Sequence, residues 1–257
     1  MKPLKDKKIM ISAGAAGIGL SIVRRLAQAG ASVEICDISE TALASVSESL
    51  PGVGVFKADV SQDSQVRAWF ECAVARLGGL DVLINNAGIA GPTLSIADIE
   101  QADWDKTIEV NLRSQFLCIK HALAYLRCSH AGTIINMSSV AGRLGYPLRT
   151  PYAASKWAII GLTQSLALEL GSDGITVNAI LPGIVDSERA RLVTQTKAAA
   201  RGVSIQDMER EILGRVALHR MVPMTHIADT VLFLLSEAGR SVTGQNFNIC
   251  GGIQSLA

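Results

Sequence analysis

The residues Tyr152-Ala153-Ala154-Ser155-Lys156 set a phenol and an ammonium four positions apart, and a second hydroxyl, Ser139, stands upstream at the end of an apolar run. On a helix, positions i and i+4 share a face. An ammonium held beneath a phenol favours the phenolate by charge proximity, which makes a tyrosine a usable acid and base. The same spacing also describes a solvated amphipathic pair, so the run acquires meaning only from the elements that would position it.

Those elements follow a regular rhythm. Short apolar runs at 8–13, 32–36, 53–58, 81–84, 133–137, 175–180 and 246–249 read as strands, and longer patterns at 17–29, 40–50, 63–77, 104–126, 152–170 and 227–235 read as helices. Runs such as Val82-Leu83-Ile84 and Thr133-Ile134-Ile135 are apolar on both faces, as in a parallel sheet covered from both sides. The alternation predicts a single-domain, doubly wound α/β fold over 1–257. The stretch 184–222 breaks the rhythm: it is helix-prone without a strand, placed where a substrate lid would sit.

Composition narrows the function classes. The chain has 257 residues, 49% hydrophobic and 18% charged, enough for an extensive core. Its 24 basic residues nearly balance 23 acidic ones, and no basic run resembles a nucleic-acid stripe or a membrane anchor. Cys36, Cys72, Cys118, Cys128 and Cys250 lack CxxC spacing and are expected as free thiols in a reducing, cytoplasmic compartment. The basic start followed by an apolar stretch imitates a signal peptide, but Gly14, Gly17 and Gly19 interrupt the stretch and Arg24-Arg25 occupies the would-be cleavage region. His121, His130, His219 and His226 have no metal-ligand spacing, and Trp69, Trp104 and Trp157 read as packing residues, so no metal is expected.

The first strand runs into Ser12-Ala13-Gly14-Ala15-Ala16-Gly17-Ile18-Gly19 and then directly into a helix, a turn suited to a pyrophosphate on a helix N-terminus. Asp37 closes the second strand about twenty residues further on, where a carboxylate binds ribose hydroxyls and repels a 2′-phosphate. Neither Ala16 nor Ile38 offers a cation for such a phosphate. The expected cofactor is therefore NAD.

Taken together, these blocks resemble a short-chain dehydrogenase/reductase over essentially the whole chain, with the Rossmann-type sheet that this implies. Ser12 to Gly19 is similar to the family's TGxxxGxG, Asp59-Val60 to its adenine-contacting pair, and Asn85-Asn86-Ala87-Gly88 to its NNAG. Pro182-Gly183, Val185 and Ser187 resemble the PGxxxT nicotinamide loop, and Asn111, Ser139, Tyr152 and Lys156 occupy the catalytic positions. The resemblance implies that Tyr152 exchanges the hydroxyl proton, Ser139 holds the substrate oxygen, Lys156 binds the nicotinamide ribose and Asn111 positions a water. Ser138 competes with Ser139, which is preferred for its offset from Tyr152 and because alternation points only one of the two at the site. Ala13 stands where the family has its first Gly, so Gly14 is expected to supply the permissive backbone. Cys250 stands where many relatives carry Asp.

The expected activity is hydride transfer between NAD(H) and a secondary alcohol or ketone. Arg149, three residues before Tyr152, is a candidate ligand for an anionic substrate, with Arg189 and Arg191 behind it in the lid. A 3-oxoacyl-type carbonyl reductase shares the same residues, and a non-catalytic NAD(H)-binding sensor is a third reading. The resemblance also implies a homotetramer, a small-molecule substrate, and neither nucleic acid nor membrane as partner.

Overall fold

In the computed structural model of the chain, residues 4–256 are described, without the side chains of residues 189, 196, 197 and 200. Strands β1 (Lys8–Ser12), β2 (Ser32–Asp37), β3 (Gly54–Lys57), β4 (Val82–Asn85), β5 (Thr133–Met137), β6 (Thr176–Pro182) and β7 (Asn246–Ile249) form one sheet ordered β3-β2-β1-β4-β5-β6-β7. Every pairing is parallel. The helices are α1 (Gly17–Gln28), α2 (Glu40–Ser49), α3 (Asp63–Leu77), α4 (Gln101–Ile108), α5 (Ser114–Leu126), α6 (Thr150–Glu169), α7 (Glu188–Arg201), α8 (Ile205–Gly214) and α9 (Met224–Leu235).

Alternation along the strands splits the core in two. Ile9, Ile11, Ile35 and Ile84 pack under α1, α2 and α9, while Met10, Leu83 and Ile134 meet Trp69 and Phe70 of α3, Cys118 of α5 and Ala167 of α6. Because β4 and β5 are buried at every position, covering both faces is the only arrangement that keeps them dry. The strand order reverses between β1 and β4, which opens a crevice at the carboxyl ends of these strands. The glycine-rich turn, the Asn85–Gly88 turn and Ser139 all follow strands that end there.

Three helix starts differ from the sequence pattern. The helix expected over 104–126 starts at Gln101, and its middle, Glu109–Arg113, widens into a π turn that separates α4 from α5. Helix α6 starts at Thr150 rather than 152, with Pro151 in its first turn, where a missing N–H costs nothing. Helix α9 starts at Met224 rather than 227, directly after Pro223. The stretch 184–222 holds α7 and α8 and is tied back by single bridges, Val185 to Val222 and Val216 to Ile253. Among the described residues no helix is long and apolar enough to cross a membrane.

Candidate active site

Helix α1 begins at Gly17 with no side-chain cap on Ala16 and no acid in its first turn, so among the described residues no side chain caps its first N–H groups. Gly17 has φ +54°, and a Cβ built there would meet nothing within 4 Å, which leaves open space beside those donors. That combination fits a diphosphate. The turn itself departs from expectation: besides Gly17, the left-handed residue is Ala13, at φ +51°, not Gly14. Gly14 is needed for a different reason, because a Cβ there would lie 2.7 Å from the side chain of Ile35 on β2.

Two side chains lock this turn to the end of β4. The Ser12 hydroxyl accepts from Asn86 N at 3.0 Å and Ala87 N at 3.1 Å, and Asn86 Nδ2 donates to Ala13 O at 2.9 Å and Ser12 O at 3.2 Å. A Cβ at Gly19 would run into Ala13 O, so Gly19 is required by packing within the turn. Asp37 receives Ala15 N at 3.2 Å and Ser39 N at 3.1 Å, which aims its carboxylate along the turn; Ile38 beside it is exposed. Asp59 accepts from Ser61 N at 2.9 Å and Ser61 Oγ at 2.7 Å. Partial burial works to raise its carboxyl, but the Ser61 bonds and nearby Lys106 outweigh this and hold it below the ordinary Asp range. Val60 is buried beside it.

The residues expected to transfer the proton lie near the end of β5. Lys156 is 4% exposed and donates from Nζ to Met137 O at 2.9 Å, with the same nitrogen 5.6 Å from the centre of the Tyr152 ring. The two candidate serines differ in their bonds. Ser138 Oγ donates to Lys156 O at 2.8 Å and is committed to holding α6 on the strand. Ser139 Oγ only accepts, from Ala141 N at 3.2 Å, which leaves its own proton for a ligand. Met137 O carries no sequence signature as a Lys156 partner, since any residue type presents a carbonyl.

Asn111 sits in the π turn, fully buried, and every polar atom of its side chain is used. Oδ1 accepts from Ile89 N at 2.7 Å, and Nδ2 donates to Ile89 O at 3.1 Å and to Ser155 Oγ at 3.0 Å. It therefore fastens the loop after Gly88 to α6. A Cβ at Gly88 would lie 3.3 Å from Asn111 Oδ1 and 3.4 Å from Lys156 Nζ, so the three residues meet closely.

Among the arginines with described side chains, Arg149 alone is brought to Tyr152: it is 7% exposed, with Cζ 5.3 Å from the centre of the Tyr152 ring. Arg191 pairs with Asp186 at 2.8 Å in a cavity of about 550 Å³ between α7 and α8 whose lining omits Ser139, Tyr152 and Lys156. The side chain of Arg189 lies outside the described residues. Ser187 caps α7 by accepting from Ala190 N at 3.1 Å, and Gly183 packs against Cys250, where a Cβ would come within 2.7 Å of its Cα. Among the described residues no cluster of His, Cys, Asp or Glu is arranged to hold a metal. Trp69 is a packing residue as expected, but Trp157 is exposed, being adjacent to inward-pointing Lys156 on α6.

Comparison with known proteins identifies the family. A family model described as Enoyl-(Acyl carrier protein) reductase matches residues 13–254, and the 3-oxoacyl-acyl-carrier-protein reductase FabG of Staphylococcus aureus is 36% identical over 252 residues, covering 96% of this chain and 98% of its own. The chain belongs to the short-chain dehydrogenase/reductase family. Another family member, 2-(S)-hydroxypropyl-CoM dehydrogenase 3 of Xanthobacter autotrophicus, is 36% identical over 258 residues, covering 98% of each chain. The crystal structure of an actinorhodin polyketide ketoreductase with NADPH superposes with a TM-score of 0.91 at 32% identity, covering 96% of this chain and 97% of that one. As a member of this family the protein is an oxidoreductase acting on CH–OH or carbonyl groups and binds a nicotinamide cofactor.

Proposed function

We propose that the protein interconverts a ketone and a secondary alcohol, with NAD(H) as the cofactor and Tyr152 as the proton donor and acceptor. The observation that carries this reading is buried Lys156, bonded through Nζ to Met137 O at the end of β5 and 5.6 Å from the centre of the Tyr152 ring, with Ser139 two residues beyond Met137. The nicotinamide supplies or receives the hydride when bound. Ser139 orients the substrate oxygen through its free proton, Tyr152 gives or takes the hydroxyl proton, and Lys156 favours the ionised phenol by its charge. Asn111 holds the Gly88–Ile89 loop against Lys156 through a side chain whose polar atoms are all bonded.

For the cofactor, Ser12, Gly14, Gly17, Ile18 and Gly19 form the diphosphate turn, Asp37 and Ile38 take the adenosine ribose, and Asp59 and Val60 the adenine. Asn86, Ala87, Gly88, Pro182, Gly183, Val185 and Ser187 flank the nicotinamide. NAD is favoured because the Asp37 carboxylate is held in the turn, while Lys57, its register partner on β3, is engaged by Glu40 at 2.7 Å. For the substrate, the names of the relatives favour a 3-oxoacyl compound, with α7 and α8 as the lid over it. The small-molecule site operates within a cytoplasmic homotetramer, whose contacts would use exposed Phe116 on α5 and Trp157 and Leu168 on α6.

The test is reduction of ethyl acetoacetate and oxidation of ethyl 3-hydroxybutyrate, followed by cofactor absorbance with NADH and NADPH in parallel. Turnover at least about tenfold better with the non-phosphorylated cofactor, and a loss of about 10²- to 10⁴-fold in Tyr152→Phe, are expected. Equal turnover by Tyr152→Phe would overturn the proton-transfer assignment, and preference for NADPH would overturn the role given to Asp37.

A further inference from the structure

Arg149 is built into the protein in an unusual way. The chain turns through Leu148 at φ +62°, an uncommon conformation for a branched residue, and so carries the next side chain inward. There Nη2 donates to Ala90 O at 2.7 Å, fixing the loop after β4, and Leu94 N donates to Leu148 O at 2.9 Å in the same junction. The guanidinium lies in the corner between two phenol rings, 5.2 Å from the centre of Tyr146 and 5.3 Å from that of Tyr152, the rings themselves meeting edge to face at 6.4 Å. Nε is buried without a partner, and among the described residues no carboxylate neutralises the charge. A buried cation without a counter-ion is costly, and it is retained here against one face of the tyrosine that performs the proton transfer.

We propose that Arg149 is a positioning residue for Tyr152, a second cation that holds the phenol ring in place and, together with Lys156, stabilises its ionised form. The inference rests on the reading of Tyr152 as acid and base. The Tyr152 ring lies within about 6 Å of both cations, the range in which a cation is drawn to an aromatic face. Other charged groups on the elements packed against α6 do not offset this pair. Helix α4 and the π turn carry Asp103, Asp105, Lys106, Glu109 and Arg113, of which Lys106 pairs with Asp59 at 3.8 Å and Arg113 with Glu109 at 3.2 Å. β5, β6 and the turn Val140–Gly142 carry no charged side chain, and Arg143 just beyond that turn is exposed. The short turn Gly171–Asp173 packs at the far end of α6, with Asp173 bound to Arg127 at 2.8 Å.

The chain has only three tyrosines, so the phenol can be titrated directly. In a Tyr125→Phe, Tyr146→Phe background the rise in phenolate absorbance with pH reports Tyr152 alone, and needs neither substrate nor turnover. Adding Arg149→Met is expected to move that ionisation upward by about one to three pH units, with a smaller move in Arg149→Lys, which keeps the charge and loses the planar fork. Should Arg149→Met fail to fold, Arg149→Gln carries the same comparison. In the otherwise natural chain, the alkaline limb of kcat/KM should shift with the titration for neutral ethyl acetoacetate and anionic acetoacetate alike. An unmoved titration overturns the inference, and so does a loss confined to acetoacetate, which would make Arg149 an anion ligand for the substrate. Full activity in Tyr152→Phe would instead sink the underlying assignment of the proton-transfer residue, so the two failures are told apart.

Discussion

Replacing Asn111 with Ala removes three hydrogen bonds at once, those with Ile89 N at 2.7 Å, Ile89 O at 3.1 Å and Ser155 Oγ at 3.0 Å. Each such bond contributes about 0.5–1.5 kcal/mol net, and a buried group left without a partner costs more, about 1–3 kcal/mol. Ile89 is only half-buried, so water can recover part of the loss at its backbone, while Ser155 is fully buried. The balance is a destabilisation of about 3 kcal/mol, or roughly 6–12 °C in melting temperature for a chain of this length. Ser155→Ala, which loses one of the three bonds together with the Ser155 bond to Tyr152 O at 2.7 Å, should cost about half as much. Urea and thermal denaturation of the three proteins measure this, and kcat at saturating cofactor reports the catalytic side. Because the anchored loop abuts Lys156, kcat should fall at least about tenfold in Asn111→Ala. A loss of stability below about 0.5 kcal/mol would show that the side chain does not hold the loop, and the account of the π turn would go with it.

Other expectations follow from buried and exposed groups. Glu34 on β2 is almost fully buried with Oε2 unpartnered, and burial raises its carboxyl above the ordinary 4.5 despite Arg76 at 3.2 Å. A raised value in the fold means that the contribution of Glu34 to stability is full below about 4.5 and is lost as pH rises through the folded value; denaturation midpoints in Glu34→Gln should lack that loss, and identical profiles would refute it. Burial pushes the Cys36 thiol up, helped by neighbouring Cys118, which burial itself pushes up to about 12. An aromatic disulfide reagent should accordingly modify exposed Cys128 quickly and reach Cys36 and Cys118 only on unfolding; fast native labelling of either would contradict the packing. If Phe116, Trp157 and Leu168 form subunit contacts, light scattering should give about four times 27.2 kDa, falling in Leu168→Arg; a wild-type mass of one chain would remove those contacts from the proposal.

Much of the fold is legible in the pattern of residue types. Seven apolar runs become seven strands because a segment apolar on both faces, such as Val82-Leu83-Ile84, can be satisfied only inside a covered sheet. The chemistry of Tyr152 and Lys156 is legible for a similarly local reason: helical spacing sets them on one face whatever the rest of the chain does. Arg149 and Ser139 were visible as candidates, but not their bonds.

Contacts distant in sequence decided the rest. Which of Ser138 and Ser139 keeps its hydroxyl proton free depends on Lys156 O claiming the first hydroxyl across 18 positions, and Arg149 faces inward because Ala90, 59 positions away, accepts its bond. The π turn at Asn111 forms around the backbone of Ile89, a partner that no local propensity announces. Ala13 adopts the left-handed conformation although Gly14 adjoins it, and position 14 needs glycine because Ile35 on the next strand leaves no room there for any side chain. Sequence by itself determined which segments are strands and helices and which residues have reactive chemistry, because periodicity and functional groups are local properties. The tertiary structure decided which of those groups remain free to act, because that depends on which neighbours, far along the chain, have already taken their hydrogen bonds and their space.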